Sequence, residues 1–263
     1  MKRASIIVFS HRARGNSDLA GELLARKCRE AQLETTVLRS REHPLQACTG
    51  CMRCMFRHPG RCHLPDSLPA YQDALAVDVL FLVSPVYFLA PAADWKLLQD
   101  RMLVSRPRAG GAGRFAGIVL TAGLNGWSVA DPLAAVLALS AGFRVAGVET
   151  LVGPGPGHFL TGQENLDRLD RLADAVLAGA PRRREGQCIV CFGPLHHAAD
   201  GLFCPVCQAQ ADDKGEIRYE ESRWHPLRLE QHYKEWVLAT RELYLHDRPK
   251  IIQRINELGL KEN

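Results

Sequence analysis

The chain has 263 residues, of which 46% are hydrophobic, enough for one large domain with its own core and a small appendage. The net charge of +4, from 33 basic and 29 acidic residues, is too small to favour a nucleic-acid or membrane-surface partner. The apolar start of the sequence is too short for a secretory signal, and no stretch approaches the roughly 20 apolar residues of a membrane span. We therefore expect a cytoplasmic protein without a membrane partner.

The first 180 residues alternate between patterns typical of strands and of helices. Short apolar runs predict strands at residues 6–9, 35–38, 79–83, 117–120 and 145–152. Helical spacing of apolar residues predicts helices at 19–28, 68–75, 92–102, 132–141 and 165–177. This order predicts an α/β domain over residues 1–180, with a five-stranded parallel sheet and helices on both faces. Ligands of such sheets bind beyond the carboxyl ends of the strands, so the loops there carry the functional information.

The loop after the first strand combines polar side chains with a glycine where a helix begins. A helix N-terminus offers free N–H groups and the positive end of the helix dipole, which suits a phosphate. The spacing matches neither a dinucleotide-binding fingerprint nor a P-loop. An ordinary helix cap by Asn16 or Ser17 is the alternative. Ser10, Asn16 and Ser17 can donate hydrogen bonds to a phosphate, Gly15 allows the turn, and Arg12 or Arg14 adds positive charge.

Four cysteines follow the second strand in one loop: Cys48, Cys51, Cys54 and Cys62. The first three are evenly spaced, as in bacterial ferredoxins, whereas structural zinc sites use two separated pairs. The spacing therefore favours an iron–sulfur cluster over zinc, and four unligated thiols are the third interpretation. Cys28 stands alone and is interpreted as a small buried hydrophobic residue on a helix.

The loops after the third and fourth strands can flank a planar ring. Ser84 to Phe88 ends in two aromatic residues, for which a place in the core is the alternative interpretation. Thr121 to Gly126 is rich in small residues, which let the backbone approach a flat ligand.

Together these features resemble the iron–sulfur flavoproteins, a branch of the NADPH-dependent FMN reductases with a flavodoxin-like fold. The resemblance is carried by the Gly15-Asn16-Ser17 loop, by the cysteine loop with Asp66 after it, and by residues 84–88 with Asp100-Arg101 downstream. It implies a [4Fe-4S] cluster on the four cysteines and FMN with its phosphate on Ser10, Arg12, Asn16 and Ser17. The residues that it implies against the isoalloxazine ring are Pro85, Val86, Tyr87, Phe88, Thr121, Ala122 and Gly123. It also implies a homodimer or homotetramer, and a redox partner such as ferredoxin or NAD(P)H.

A second group of four cysteines lies beyond a polar break at residues 180–186. Cys188, Cys191, Cys204 and Cys207 form two paired knuckles, which predict a tetrahedral metal site in a ribbon over residues 186–215. Zinc is the predicted metal, and a single rubredoxin-type iron is the alternative. His196 and His197 are predicted to lie at the surface, and residues 216–263 to form a helical extension.

The sequence thus predicts an oxidoreductase or electron-transfer flavoprotein that passes electrons between FMN and a [4Fe-4S] cluster. One alternative is an NAD(P)H-dependent FMN or quinone reductase without a functional cluster. Another is a redox-sensing nucleic-acid-binding module that uses the ribbon and Arg182–Arg184. No acid, base or nucleophile is predicted, because flavin chemistry leaves little signature in side chains.

Overall fold

The computed structural model describes residues 1–104, 113–124, 130–198, 201–212 and 214–260. Its main sheet is parallel, and a short antiparallel strand is added to its third strand. The strands are β1 (Arg3–Val8), β2 (Glu34–Arg39), β3 (Val79–Tyr87), β4 (Ala90–Pro91), β5 (Phe115–Ala122) and β6 (Arg144–Val152). The strand order is β2-β1-β3-β5-β6, with β4 paired to β3. All five predicted strands are confirmed, and the fold is flavodoxin-like.

Helices cover both faces of the sheet because its strands are apolar on both sides. They are α1 (Asn16–Glu30), α2 (Arg53–Phe56), α3 (Leu68–Ala74), α4 (Ala93–Asp100), α5 (Asp131–Ser140) and α6 (Gln163–Ala178). Ile6 and Val8 pack into one buried cluster with α1 and α6. Ile7 and Phe9 point to the other face and pack with α3, α4 and α5. Cys28 is fully buried on α1, as predicted.

The carboxyl ends of the central strands lie side by side. Val8 at the end of β1 pairs with Arg39 of β2 on one side and with Val83 of β3 on the other. The loops that follow these strands therefore leave the sheet at one edge, which is where the predicted ligand-binding residues lie.

The ribbon contains the antiparallel strands β7 (His196–Ala198), β8 (Gly201–Cys204) and β9 (Ala209–Gln210). Its buried cysteines belong to the same hydrophobic cluster as α5, so the ribbon packs directly on the main domain. The domain boundary at residues 180–186 stays a prediction.

Two of the three arginines in the basic run before the ribbon form ion pairs within the chain. Arg183 pairs with Glu216, and Arg184 lies 3.4 Å from Glu149 across the linker. These contacts weaken the interpretation of Arg182–Arg184 as a nucleic-acid contact.

The chain after the ribbon is helical from Pro226 onward, and residues 261–263 lie outside the described part of the chain, so the helical extension over residues 216–263 stays a prediction. The helical part comprises α7 (Pro226–His232), a π-helical stretch (Tyr233–Leu238) and α8 (Ala239–Glu257). Within the residues that the structure describes, no helix has the length and apolar character needed to cross a membrane.

Candidate functional site

A cleft opens at the carboxyl edge of the sheet, between the loops that follow β1, β3, β5 and β6. All residues predicted to contact a flavin, with the exception of Phe88, line this cleft: Ser10, Arg12, Gly15, Asn16, Ser17, Pro85, Val86, Tyr87, Thr121, Ala122 and Gly123. Asn125 and Gly126 of the β5 loop lie outside the described residues. The sheet topology therefore brings together residues that are more than 100 positions apart in the sequence.

The N-terminus of α1 is held open by tertiary hydrogen bonds. Gly15 occupies its N-cap position, and no side chain caps the helix, so the alternative of a cap by Asn16 or Ser17 is wrong. Asn16 Nδ2 donates instead to the carbonyl of Gly153, 2.8 Å away, and Ser17 Oγ lies 2.7 Å from Thr121 Oγ1. The first N–H groups of α1, which have no partner within the helix, are thereby left for an anion.

Asp18 also holds the loop after β1 in place. It accepts hydrogen bonds from the backbone N–H of Arg14 at 2.9 Å, from Arg39 Nε at 2.8 Å and from Arg41 Nη1 at 3.2 Å. Burial raises the pKa of Asp18, but these three donors outweigh it and hold the pKa below its ordinary value. Two arginines thus balance the charge of this carboxylate. Asp18 also joins the loop after β1 to the start of the cysteine loop.

The β3–β4 hairpin forms the other wall of the cleft. Its two turn residues, Phe88 and Leu89, have positive φ angles of 47° and 69°. Phe88 is fully exposed and Tyr87 is 55% exposed, so the alternative that these aromatic residues belong to the core is wrong. Tyr87 lines the cleft, whereas Phe88, which was also predicted to contact the flavin, does not.

The first cysteine group lies in the loop after β2, next to β1 in the sheet. Cys54 is half-buried, and its pKa is raised by burial and then by the nearby thiolates of Cys62, Cys48 and Cys51. The four sulfurs therefore share one neighbourhood. Among the described residues, however, only the second cysteine group is compact enough to surround a single ion.

A family model for NADPH-dependent FMN reductases matches residues 3–153, more than half of the chain and all of the cleft loops up to Gly153. The chain belongs to the NADPH-dependent FMN reductase family. It is therefore a flavin-dependent oxidoreductase with a flavodoxin-like fold, as predicted. The ribbon and the helical extension lie outside the matched residues.

Solved structures show the same fold. A structure described as "flavone reductase" is 12% identical, covers 100% of this chain and 99% of its own, and has a TM-score of 0.68. An NAD(P)H:quinone oxidoreductase from Methanothermobacter marburgensis is 17% identical, covers 66% of this chain and 98% of its own, and has a TM-score of 0.51. No curated protein sequence matches the chain.

The cleft of this FMN reductase family member has a chemistry that fits FMN. The uncapped end of α1 suits the phosphate. Asn16 Oδ1 is buried without a partner in the described part of the chain, so it can accept a hydrogen bond from a ribityl hydroxyl. A Cβ placed on Gly123 or Gly155 would meet no atom within 4 Å, which leaves open space for a flat ring.

Sequence reasoning missed the third side of the reductase cleft. Gly153, Pro154 and Gly155 follow β6 and line the cleft as well. A Cβ on Gly153 would lie 2.6 Å from the backbone nitrogen of Phe159, so only glycine fits there. The signal was present, because a Gly-Pro-Gly-Pro-Gly run directly follows the last strand.

The ribbon of the reductase brings four buried thiols together. Cys188 Sγ lies 3.6 Å from Cys207 Sγ, Cys191 Sγ lies 3.4 Å from Cys204 Sγ, and all four sulfurs are within 4.8 Å of one another. A zinc–sulfur bond of about 2.3 Å gives a tetrahedron with edges of about 3.8 Å, close to these distances. They are too long for disulfides. His196 and His197 are exposed, as predicted.

Proposed function

We propose that this flavin-dependent oxidoreductase passes electrons between FMN in the cleft and a [4Fe-4S] cluster on Cys48, Cys51, Cys54 and Cys62. When bound, FMN supplies both hydride and single-electron chemistry, whereas a cluster exchanges single electrons. The observation that carries the proposal is that the cleft and the cysteine loop lie at the same edge of the sheet. The cleft opens after β1, β3, β5 and β6, and the four cysteines follow β2, the direct neighbour of β1.

The residues of the cleft have separate roles in this proposal. The backbone N–H groups at the start of α1, including that of Asn16, bind the phosphate together with the hydroxyl of Ser17, whereas Asn16 Oδ1 accepts a hydrogen bond from a ribityl hydroxyl. Residues 85–87 and 121–123 contact the ring together, because β3 and β5 are adjacent in the sheet and Pro85 pairs with Thr121. The described residues of the cleft include no acid or base in an evident catalytic position, which fits chemistry supplied by the flavin.

Asp18 supports a functional link between the cleft and the cysteine loop. It binds the backbone of Arg14 in the phosphate loop and the side chain of Arg41 at the start of the cysteine loop. We infer that this link keeps the two redox centres at a fixed separation. NAD(P)H or a ferredoxin-like protein is the proposed electron donor.

The acceptor is proposed to be a small molecule with a planar conjugated carbonyl. Tyr87 lines the cleft and is 55% exposed, so it leaves aromatic surface that a planar molecule can cover. The names of two structures with the same fold, a flavone reductase and a quinone oxidoreductase, agree with this class. A homodimer or homotetramer and a cytoplasmic location stay predictions.

The ribbon is proposed to hold a structural zinc ion. All four of its cysteines are buried, and the backbone N–H groups of Val190 and Cys207 each lie 3.4 Å from a knuckle sulfur. A closed site of four thiolates leaves no position for a substrate, which indicates a structural role. A single iron is the alternative, and metal analysis decides between the two.

A Cys51→Ser variant tests the electron-transfer proposal, with Cys28→Ala as its matched control. Both proteins are purified without oxygen, and NAD(P)H oxidation is followed with a one-electron acceptor. The proposal predicts that the Cys51 variant keeps FMN but loses the broad iron–sulfur absorbance and the one-electron activity. Unchanged spectra and turnover would support the alternative, an FMN or quinone reductase without a functional cluster.

A further inference from the structure

We propose that Arg101 is a positioning residue for the cluster, and that its buried charge favours the reduced state of the cluster. This inference rests on the proposed iron–sulfur function. Arg101 follows α4 directly and is only 3% exposed, although it carries a permanent positive charge. Burying a charge is strongly unfavourable unless negative groups surround it, so its partners indicate its role.

Arg101 first closes the cysteine loop. It forms an ion pair with Asp66, whose side chain is 4% exposed, and its Nη1 lies 3.3 Å from the carbonyl oxygen of Gln46. Asp66 in turn accepts the backbone N–H of Gln46 at 2.8 Å. Gln46 lies just before Cys48 and Asp66 lies just after Cys62. The pair therefore joins the two ends of the segment that carries all four thiols.

Arg101 also lies near Cys62. Burial lowers the pKa of the Arg101 guanidinium, but Asp66 and then Cys62 outweigh it and hold that pKa above its ordinary value. Its Nε and Nη2 are buried and have no hydrogen-bond partner among the described residues. A hydrogen-bond donor without an acceptor on a buried cation is unfavourable in free energy. An electron-rich group beside Cys62, such as a sulfur of a cluster, could accept hydrogen bonds from these two nitrogens.

The position of this charge has an electrostatic consequence. Reduction adds one electron to the cluster, and a cation in a weakly polar environment stabilises the added charge. Hydrogen bonds to the sulfurs and local net charge are known determinants of cluster potentials. Arg101 should therefore raise the potential, and Asp66, which neutralises Arg101, should lower it.

The test is a redox titration of the full-length, anaerobically purified protein, monitored by electron paramagnetic resonance. Arg101→Gln should shift the reduction equilibrium against reduction about tenfold, which corresponds to about 59 mV for one electron. Asp66→Asn should shift it in the opposite direction. Arg101→Lys keeps the charge and should recover most of the loss. Lys96→Gln, which removes an exposed charge on α4, is the matched control and should leave the potential unchanged.

A purely structural role for Arg101 predicts that its replacement leaves the reduction potential of a loaded cluster unchanged. The inference would be overturned if the variants load the cluster but keep the wild-type potential, or if Arg101→Gln and Asp66→Asn shift it in the same direction. If Arg101→Gln does not load the cluster, the Asp66→Asn shift decides: a rise supports the inference and no rise overturns it. A wild-type protein without iron and sulfide would overturn the proposed function as well, so the two failures are distinguishable.

Discussion

Replacing Ser17 by alanine tests the phosphate site at the start of α1. Ser17 is buried, and its Oγ lies 2.7 Å from Thr121 Oγ1. A hydroxyl has one proton to donate, so a Thr121 hydroxyl that donates to Ser17 leaves the Ser17 proton for the phosphate. Ser17→Ala removes this donor and leaves Thr121 without its partner.

The size of the effect follows from the charge of the phosphate. A hydrogen bond to a charged group contributes about 1.5–3 kcal/mol, and 1.4 kcal/mol corresponds to a tenfold change in Kd. We therefore expect the Kd for FMN to rise about 10- to 100-fold. Riboflavin has no phosphate, so its Kd should change by less than about threefold.

Both affinities can be measured by flavin fluorescence during titration of the flavin-free protein. Ser140→Ala is the matched control, because its hydroxyl donates to the Leu137 carbonyl at the end of α5, away from the cleft loops. An equal loss of affinity for FMN and riboflavin, or no loss for either, would refute the assignment of the phosphate to α1.

Three further predictions concern the cleft, its anchor and the core. Gly153→Ala should weaken FMN binding and lower the melting temperature, because its Cβ would lie 2.6 Å from the Phe159 nitrogen; Gly155→Ala, which has open space, should keep the melting temperature of the flavin-free protein. The lowered pKa of Asp18 stabilises the fold above the ordinary value of 3.8, and this contribution is lost as the pH falls further. Asp18→Asn should therefore flatten the acid limb of a pH–stability curve, and an unchanged limb would contradict this. Burial raises the pKa of Cys28 to about 11, so thiol reagents should not modify it in the native protein at pH 8, as mass spectrometry can check.

Much of the sheet follows from local sequence. The apolar runs around Ile6 and Leu80 predict strands buried on both faces, and both lie at the centre of the sheet. Because parallel strands end at one edge, the cleft residues could be predicted from their places after each strand. The loop after β6 was missed because the prediction treated only the loops after the first four predicted strands as informative, and β6 is the fifth.

Other features depend on tertiary contacts that leave no local pattern. The hairpin turn at Phe88 and Leu89 has two positive φ angles, for which Asn and Gly are the usual residues, so nothing in the sequence indicates it. Arg101 and Asp66 lie 35 residues apart, and their pairing depends on how α4 packs against the cysteine loop. The packing of the ribbon on α5 is likewise a property of the assembled core.

The proposed cluster on the cysteine loop is tested most directly by analysis of the metal and sulfide in the protein. Iron, zinc and acid-labile sulfide are determined in anaerobically purified protein, together with its visible spectrum. We predict about four irons and about four sulfides per chain, besides one metal ion in the ribbon and the absorbance of FMN. Protein that contains FMN and the ribbon metal, but that neither holds sulfide nor takes it up on reconstitution with iron, would contradict the account.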